Sequence, residues 1–125
     1  MAKGDSFLST PEKTPTGEEK RHLRIIITNA DVELNYVVVS VTTLYHRNIQ
    51  DCSCILQKGD HNFIKHKSIV DFKRTKIMSS VEIANGILKG LLIPKDSVRD
   101  DVLQRIIEAA KKSRYISTEI KAMLV

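Results

Sequence analysis

The chain has no tryptophan, and only three tyrosines and three phenylalanines among 125 residues. Single-stranded nucleic acid is often held on aromatic platforms, and the chain has few of them, though Tyr45, Phe63 and Phe72 could serve. No apolar run approaches the roughly 18 residues needed to cross a bilayer, and the polar opening Met1–Asp5 lacks the apolar stretch of a signal peptide, so a cytoplasmic protein with no membrane partner is expected. The two cysteines, Cys52 and Cys54, stand one residue apart, too close for an unstrained disulfide along an extended chain, and reduced thiols are the expectation. A Gly-x4-Gly-Lys-Ser/Thr loop, a Gly-x-Gly-x-x-Gly turn and a Gly-x-Ser-x-Gly elbow are all missing, which removes the usual support for nucleotide-driven and serine-hydrolase chemistry. Cys52, Cys54, His61 and His66 are four potential zinc ligands, but a Cys-x-Cys pair separated by six residues from His-x4-His does not match the usual zinc knuckle. Neither a metal nor a cofactor is expected.

What is present suits one soluble domain. A hydrophobic fraction of 42% with 28% charged residues can build a single core. The net charge of +5 makes contact with a polyanion plausible. Between Lys58 and Lys76, six basic residues (Lys58, Lys65, Lys67, Lys73, Arg74 and Lys76) face only Asp60 and Asp71. Such a stretch suits phosphate; lysines that protect an edge strand from intermolecular pairing are the alternative reading.

The period of the apolar residues changes near Ser79. Before it, Phe7–Leu8, Leu23–Thr28, Tyr36–Leu44, Cys54–Leu56 and Ser68–Met78 read as strands, with residues 10–20 as an exposed loop rich in Pro, Thr, Gly and charge. Ile25–Ile26–Ile27 and Val37–Val38–Val39 are apolar on both faces, so they should be central strands covered on both sides. After Ser79 the spacing is helical: a short helix capped by Ser79 or Ser80 and ended by Gly90, a strong helix over 97–113 with the stripe Val98, Val102, Leu103, Ile106, Ile107 and Ala110, and a last helix over about 117–124. The expected fold is α+β, mainly β. Residues 4–80 would form a small curled barrel and residues 81–125 a helical C-terminal part packed on it, in one domain.

The segment from Gly59 to Ser68 is the densest in chemistry. With Lys58 it gathers His61, His66, Asp60, Lys65, Lys67 and Ser68. Histidine both takes and gives a proton near neutral pH, and lysines beside it can hold an anion, so the segment reads as a site. A solvated basic loop between two strands is the alternative.

A family resemblance runs through the first two thirds of the chain. Gly4-Asp5, the stretch Arg21-His22-Leu23-Arg24-Ile25-Ile26-Ile27-Thr28, and Val39-Ser40-Val41-Thr42-Thr43, followed by Cys54-Ile55-Leu56 and Ser68-Ile69-Val70-Asp71, resemble in order the motifs of the PemK/MazF toxin endoribonucleases. The resemblance covers roughly residues 4–80. It implies an SH3-like barrel, cleavage of single-stranded RNA without metal, and as partners RNA, a cognate antitoxin protein and a second copy in a homodimer. His22 and Leu23 stand where that family has an arginine and a proline, so the group acting on the phosphate or the 2′-hydroxyl changes in kind.

On this reading a base deprotonates the ribose 2′-hydroxyl, the oxygen attacks the adjacent phosphate, and an acid protonates the leaving 5′-oxygen. His61 and His66 are the expected acid and base, with His22 as a third candidate. Arg21, Arg24, Lys65 or Lys67 would stabilise the phosphorane, Lys58 and Asp60 belong to the same substrate-binding segment, and Thr43 and Ser68 would orient phosphate or ribose. The competing reading is a non-catalytic SH3-like module that binds RNA or a protein, including a subunit of a toxin–antitoxin or phage-defence pair.

Overall fold

The computed structural model describes residues 1–13, 17–44 and 51–124. Its elements in chain order are β1 (Ser6–Leu8), β2 (Glu12–Lys13), β3 (Glu19–Lys20), β4 (Leu23–Ile26), β5 (Asn35–Thr43), β6 (Ile55–Leu56), β7 (Ser68–Ser79), α1 (Ser80–Leu88), β8 (Ile93–Lys95), α2 (Asp100–Lys112) and α3 (Thr118–Ala122). Six strands form one antiparallel sheet in the order β6-β7-β5-β4-β1-β8, curled into a half-barrel, while β2 and β3 pair as a separate hairpin. The architecture is therefore α+β and mainly β.

Successive side chains of a strand point to opposite faces, and the apolar runs exploit this on both sides of the sheet. Leu23, Ile25, Val37, Val39, Val41, Val70 and Phe72 are buried in one cluster with Val102, Leu103, Ile106, Ile107 and Ala110 of α2. Phe7, Ile26, Tyr36, Val38 and Met78 are buried in a second cluster with Ile83 of α1 and Leu92. The middle residue of each triplet, Ile26 or Val38, thus faces α1 while its neighbours face α2. Gly86 lets α1 approach this closely: a Cβ built there would lie 2.7 Å from Leu92 Cδ1 and Cγ.

The helix ends follow local chemistry. The Ser79 hydroxyl accepts from Glu82 N–H at the start of α1, and Gly90, with φ of 75°, follows its end. Ser117 caps α3 through Ile120 N–H. In α2, Asp100 and Asp101 occupy the first turn and Lys111 and Lys112 the last, each sign opposite the local helix dipole.

Three expectations need correction. The strong helix begins at Asp100 rather than at residue 97, because Arg99 is extended and the N–H of the buried Val98 donates to Gly4 O. The sheet does not stop at residue 80: Ile93–Lys95 adds an edge strand to β1, with Pro94 opposite Phe7, at an edge where its missing N–H is tolerated. The stretch 10–20, read as a plain loop, carries the β2–β3 hairpin in its described part.

Candidate functional site

The segment from Gly59 to Ser68 is built as a structural bridge around His61. His61 is buried, and its Nδ1 accepts from Phe63 N–H at 2.9 Å. Nδ1 is therefore unprotonated, so the neutral ring carries its proton on Nε2. That Nε2 lies 2.7 Å from Asp96 O, to which it donates, and 2.9 Å from Ser6 Oγ. Both ring nitrogens are engaged, and neither is placed to exchange a proton with a ligand.

The neighbouring candidates are similarly committed. Asp60 pairs with Arg105 at 2.9 Å and Arg99 at 3.7 Å, and its Oδ2 also accepts from Gln57 N–H, which fastens the segment to α2. Ser68 Oγ donates to His66 O, and Ser68 stands opposite Thr43 in the β5–β7 ladder. Arg21 Nη1 donates to Ser9 O and Leu91 O at 3.1 and 2.8 Å, so it ties the segment after β1 to the segment before β8. Lys58, Lys65, His66 and Lys67 lie exposed along the segment. Of the three expected stacking rings, Phe72 is in the core, Phe63 is 40% exposed, and Tyr45 lies outside the described residues.

The pleat of the sheet sets His61 and His22 apart. Phe7 faces α1, so its neighbour Ser6, and His61 bonded to it, lie on the α2 side, where Ile64 is also buried. Leu23 faces α2, so His22 and Arg24 on either side of it project to the α1 side. His22 and His61 therefore lie on opposite faces of the sheet.

On the α1 side, two arginines and a histidine meet at Glu12 of β2. Glu12 Oε1 accepts from Arg24 Nη2 at 3.0 Å, its Oε2 accepts from Arg74 Nη1 at 2.7 Å, and His22 Nε2 lies 3.9 Å from Oε2. Asp71 stands 3.5 Å from Arg74 Nε. The Arg24 side chain is only 8% exposed, yet its Nη1 has no hydrogen-bond partner among the described residues. Ser40 is the cross-strand partner of Arg24 on the same face, and its buried hydroxyl is likewise unpartnered. Buried polar atoms left in this condition are uncommon and point to a site completed by something else.

The cluster sets the ionisation of its members. Burial by itself would raise the Glu12 carboxyl, but the hydrogen bond and charge of Arg24, with His22 and Arg74, hold its pKa below the usual 4.5. Burial pushes the His22 pKa below its ordinary 6.5; Glu12 pulls it back in part, while Arg74 and Lys20 add to the lowering. His22 is therefore a neutral base at pH 7, beside a carboxylate and two arginines. Cys54, by contrast, is driven by burial up to about 11 and is no nucleophile.

Beside the cluster lies a cavity of about 240 Å³ between the sheet and α1, whose wall includes Arg24, Glu12, Lys76 and Glu82. Of these charged groups, Arg24 was a sequence candidate, whereas Glu12, Arg74, Lys76 and Glu82 were not. Only the basic stretch between Lys58 and Lys76 signalled Arg74 and Lys76. Among the described residues no group of three or more His, Cys, Asp or Glu side chains is arranged to hold a metal ion, and no helix is long and apolar enough to cross a membrane. No family model matches the chain, and no curated protein matches its sequence.

Proposed function

We propose that the chain is a PemK/MazF-like toxin of a toxin–antitoxin pair, a metal-independent endoribonuclease of single-stranded RNA whose chemistry sits at His22 rather than in the His61 segment. One observation carries this reading: a neutral histidine stands 3.9 Å from a carboxylate that also holds two arginines. The order of the strand motifs and the curled antiparallel sheet support the finer assignment to an SH3-like barrel with its helices packed on it.

In this mechanism His22 takes the proton of a ribose 2′-hydroxyl, and Glu12 stabilises the imidazolium that results. The freed oxygen attacks phosphorus and the bond to the 5′-oxygen breaks, leaving a 2′,3′-cyclic phosphate; the departing oxygen takes a proton from water. An incoming phosphate competes with Glu12 for Arg24 and Arg74, whose charges then stabilise the phosphorane. The same positive groups suit an acidic segment of an antitoxin, which would block the site by occupying it; a homodimer belongs to the same proposal.

Cleavage of a single-stranded RNA in EDTA tests this. His22→Ala should lower the rate by about 10²-fold or more while RNA affinity is kept, and His66→Ala should leave the rate unchanged. A protein that cuts no RNA anywhere from about pH 5 to 9, a span bracketing the unperturbed histidine pKa, refutes the nuclease reading. The second reading, a binding module for RNA, is favoured by the exposed Lys58, Lys65 and Lys67 around a histidine that has no free nitrogen. It predicts salt-dependent binding without cleavage, weakened when Lys65 and Lys67 are both replaced.

A further inference from the structure

The cavity beside Glu12 combines features that a phosphate site alone does not need. Its floor is apolar, made by Phe7, Met78 and Leu92, whereas its wall carries charges of both signs, Arg24 and Lys76 against Glu12 and Glu82. Its volume of about 240 Å³ exceeds the roughly 150 Å³ of an apolar cavity that accepts benzene, so a bicyclic ring fits. Arg24 is more than nine-tenths buried, with Nη1 unpartnered, and it joins this cavity to the His22 cluster. A ligand spanning both would be flat and apolar on its faces, carry donors and acceptors on its edge, and bear a phosphate.

We infer that this cavity is a guanine-binding subsite, which receives the base next to the phosphate held by Arg24 and Arg74. The inference rests on the RNA-binding reading of that face. Guanine alone among the four bases offers two adjacent N–H groups to a carboxylate and, on the neighbouring edge, O6 and N7 to a cation. Glu82 would accept from N1–H and N2–H, and Lys76 would donate to O6. Adenine would turn the lone pair of N1 toward the carboxylate, and a pyrimidine would leave part of the floor uncovered. A site built to hydrogen-bond one base rejects a base that cannot complete those bonds.

Guanosine, adenosine, uridine and cytidine 5′-monophosphates, titrated into the full chain and followed by amide and methyl NMR shifts, test the subsite. GMP should bind at least about tenfold more tightly than AMP, the loss expected when a built hydrogen bond is missing. Its shifts should centre on Phe7, Met78, Lys76 and Leu92. Glu82→Gln should abolish the preference for GMP. Gly86→Ala should expel GMP, because its Cβ would drive Leu92 into the cavity from 2.7 Å; the exposed Glu82→Gln variant keeps the test valid if Gly86→Ala fails to fold. Equal binding of all four nucleotides, or shifts centred elsewhere, overturns the subsite. RNA cleavage without GMP binding removes the subsite and leaves the nuclease, whereas selective GMP binding without RNA cleavage keeps the subsite and removes the nuclease.

Discussion

Replacing His61 by alanine separates a structural histidine from a catalytic one. The substitution deletes the acceptor of Phe63 N–H, the donor to Asp96 O and the neighbour of Ser6 Oγ, all at a residue that is 6% exposed. Each buried hydrogen bond contributes about 1 kcal/mol net, and a stranded donor costs about 1–3 kcal/mol. Asp96 O keeps the bond from Ser6 Oγ, which limits the loss at that end. The vacated ring volume adds a cavity cost, so the sum is about 3 kcal/mol. That is a large part of the roughly 5–15 kcal/mol by which a domain of this size is stable, and it corresponds to a fall in Tm of about 10 °C. Urea titration followed by circular dichroism reads the change, with His66→Ala as the control, expected within about 0.5 kcal/mol of wild type because His66 is exposed. A His61→Ala protein of undiminished stability that has lost RNA cleavage would refute the reasoning and return His61 to the chemistry.

Two further outcomes follow from ionisation and backbone geometry. His22 and Glu12 both have folded pKa values below their ordinary 6.5 and 4.5, so in each case the unfolded chain binds the proton first. Stability should be full above pH 6.5, fall as His22 is passed, and fall again below pH 4.5 as Glu12 is protonated; His22→Gln should erase the first step in a pH series of urea midpoints, and stability that rises on acidification through 6.5 would contradict the assignment. Leu34 has φ of 61° and is 56% exposed, a left-handed conformation that costs a side chain about 1–2 kcal/mol. Leu34→Gly should therefore raise stability by about 0.5 kcal/mol after the added freedom of the unfolded chain is counted, and Leu34→Val should lower it, as measured by thermal unfolding.

The strands were legible where periodicity is local. Ile25–Ile26–Ile27 and Val37–Val38–Val39 read as strands buried on both faces, and their residues divide between the α1 and α2 clusters. The cap of α1 was legible as well, because Ser79 and the amide it accepts from are three residues apart. The site was less so. His61 looks reactive in sequence because nothing nearby shows that its partners, Ser6 and Asp96, lie 55 and 35 residues away. Glu12 sits in a stretch whose composition reads as exposed loop, and it gains significance only when β7 brings Arg74 across to it. The strand at 93–95 was not read from the sequence; it is three residues long and, among the described residues, pairs only with β1, which is far from it in the chain.

The first strand has a temporal consequence. β1 lies between β4 and β8, and the residues around it are fastened from far along the chain, by Val98 N–H to Gly4 O and by Ser97 Oγ to Asp5. A chain emerging from the ribosome at about 5–20 residues per second therefore exposes one edge of β1 for several seconds before its second neighbour exists. Pairings this distant in sequence also close slowly. The cavity wall is completed over the same interval, since Glu82, Leu91 and Leu92 are synthesised after nearly all of the sheet. A ribosome-bound fragment ending before α1 would carry His22 and Glu12 without the cavity. The cavity is thus complete only once residue 92 has been made, later than the His22–Glu12 cluster beside it.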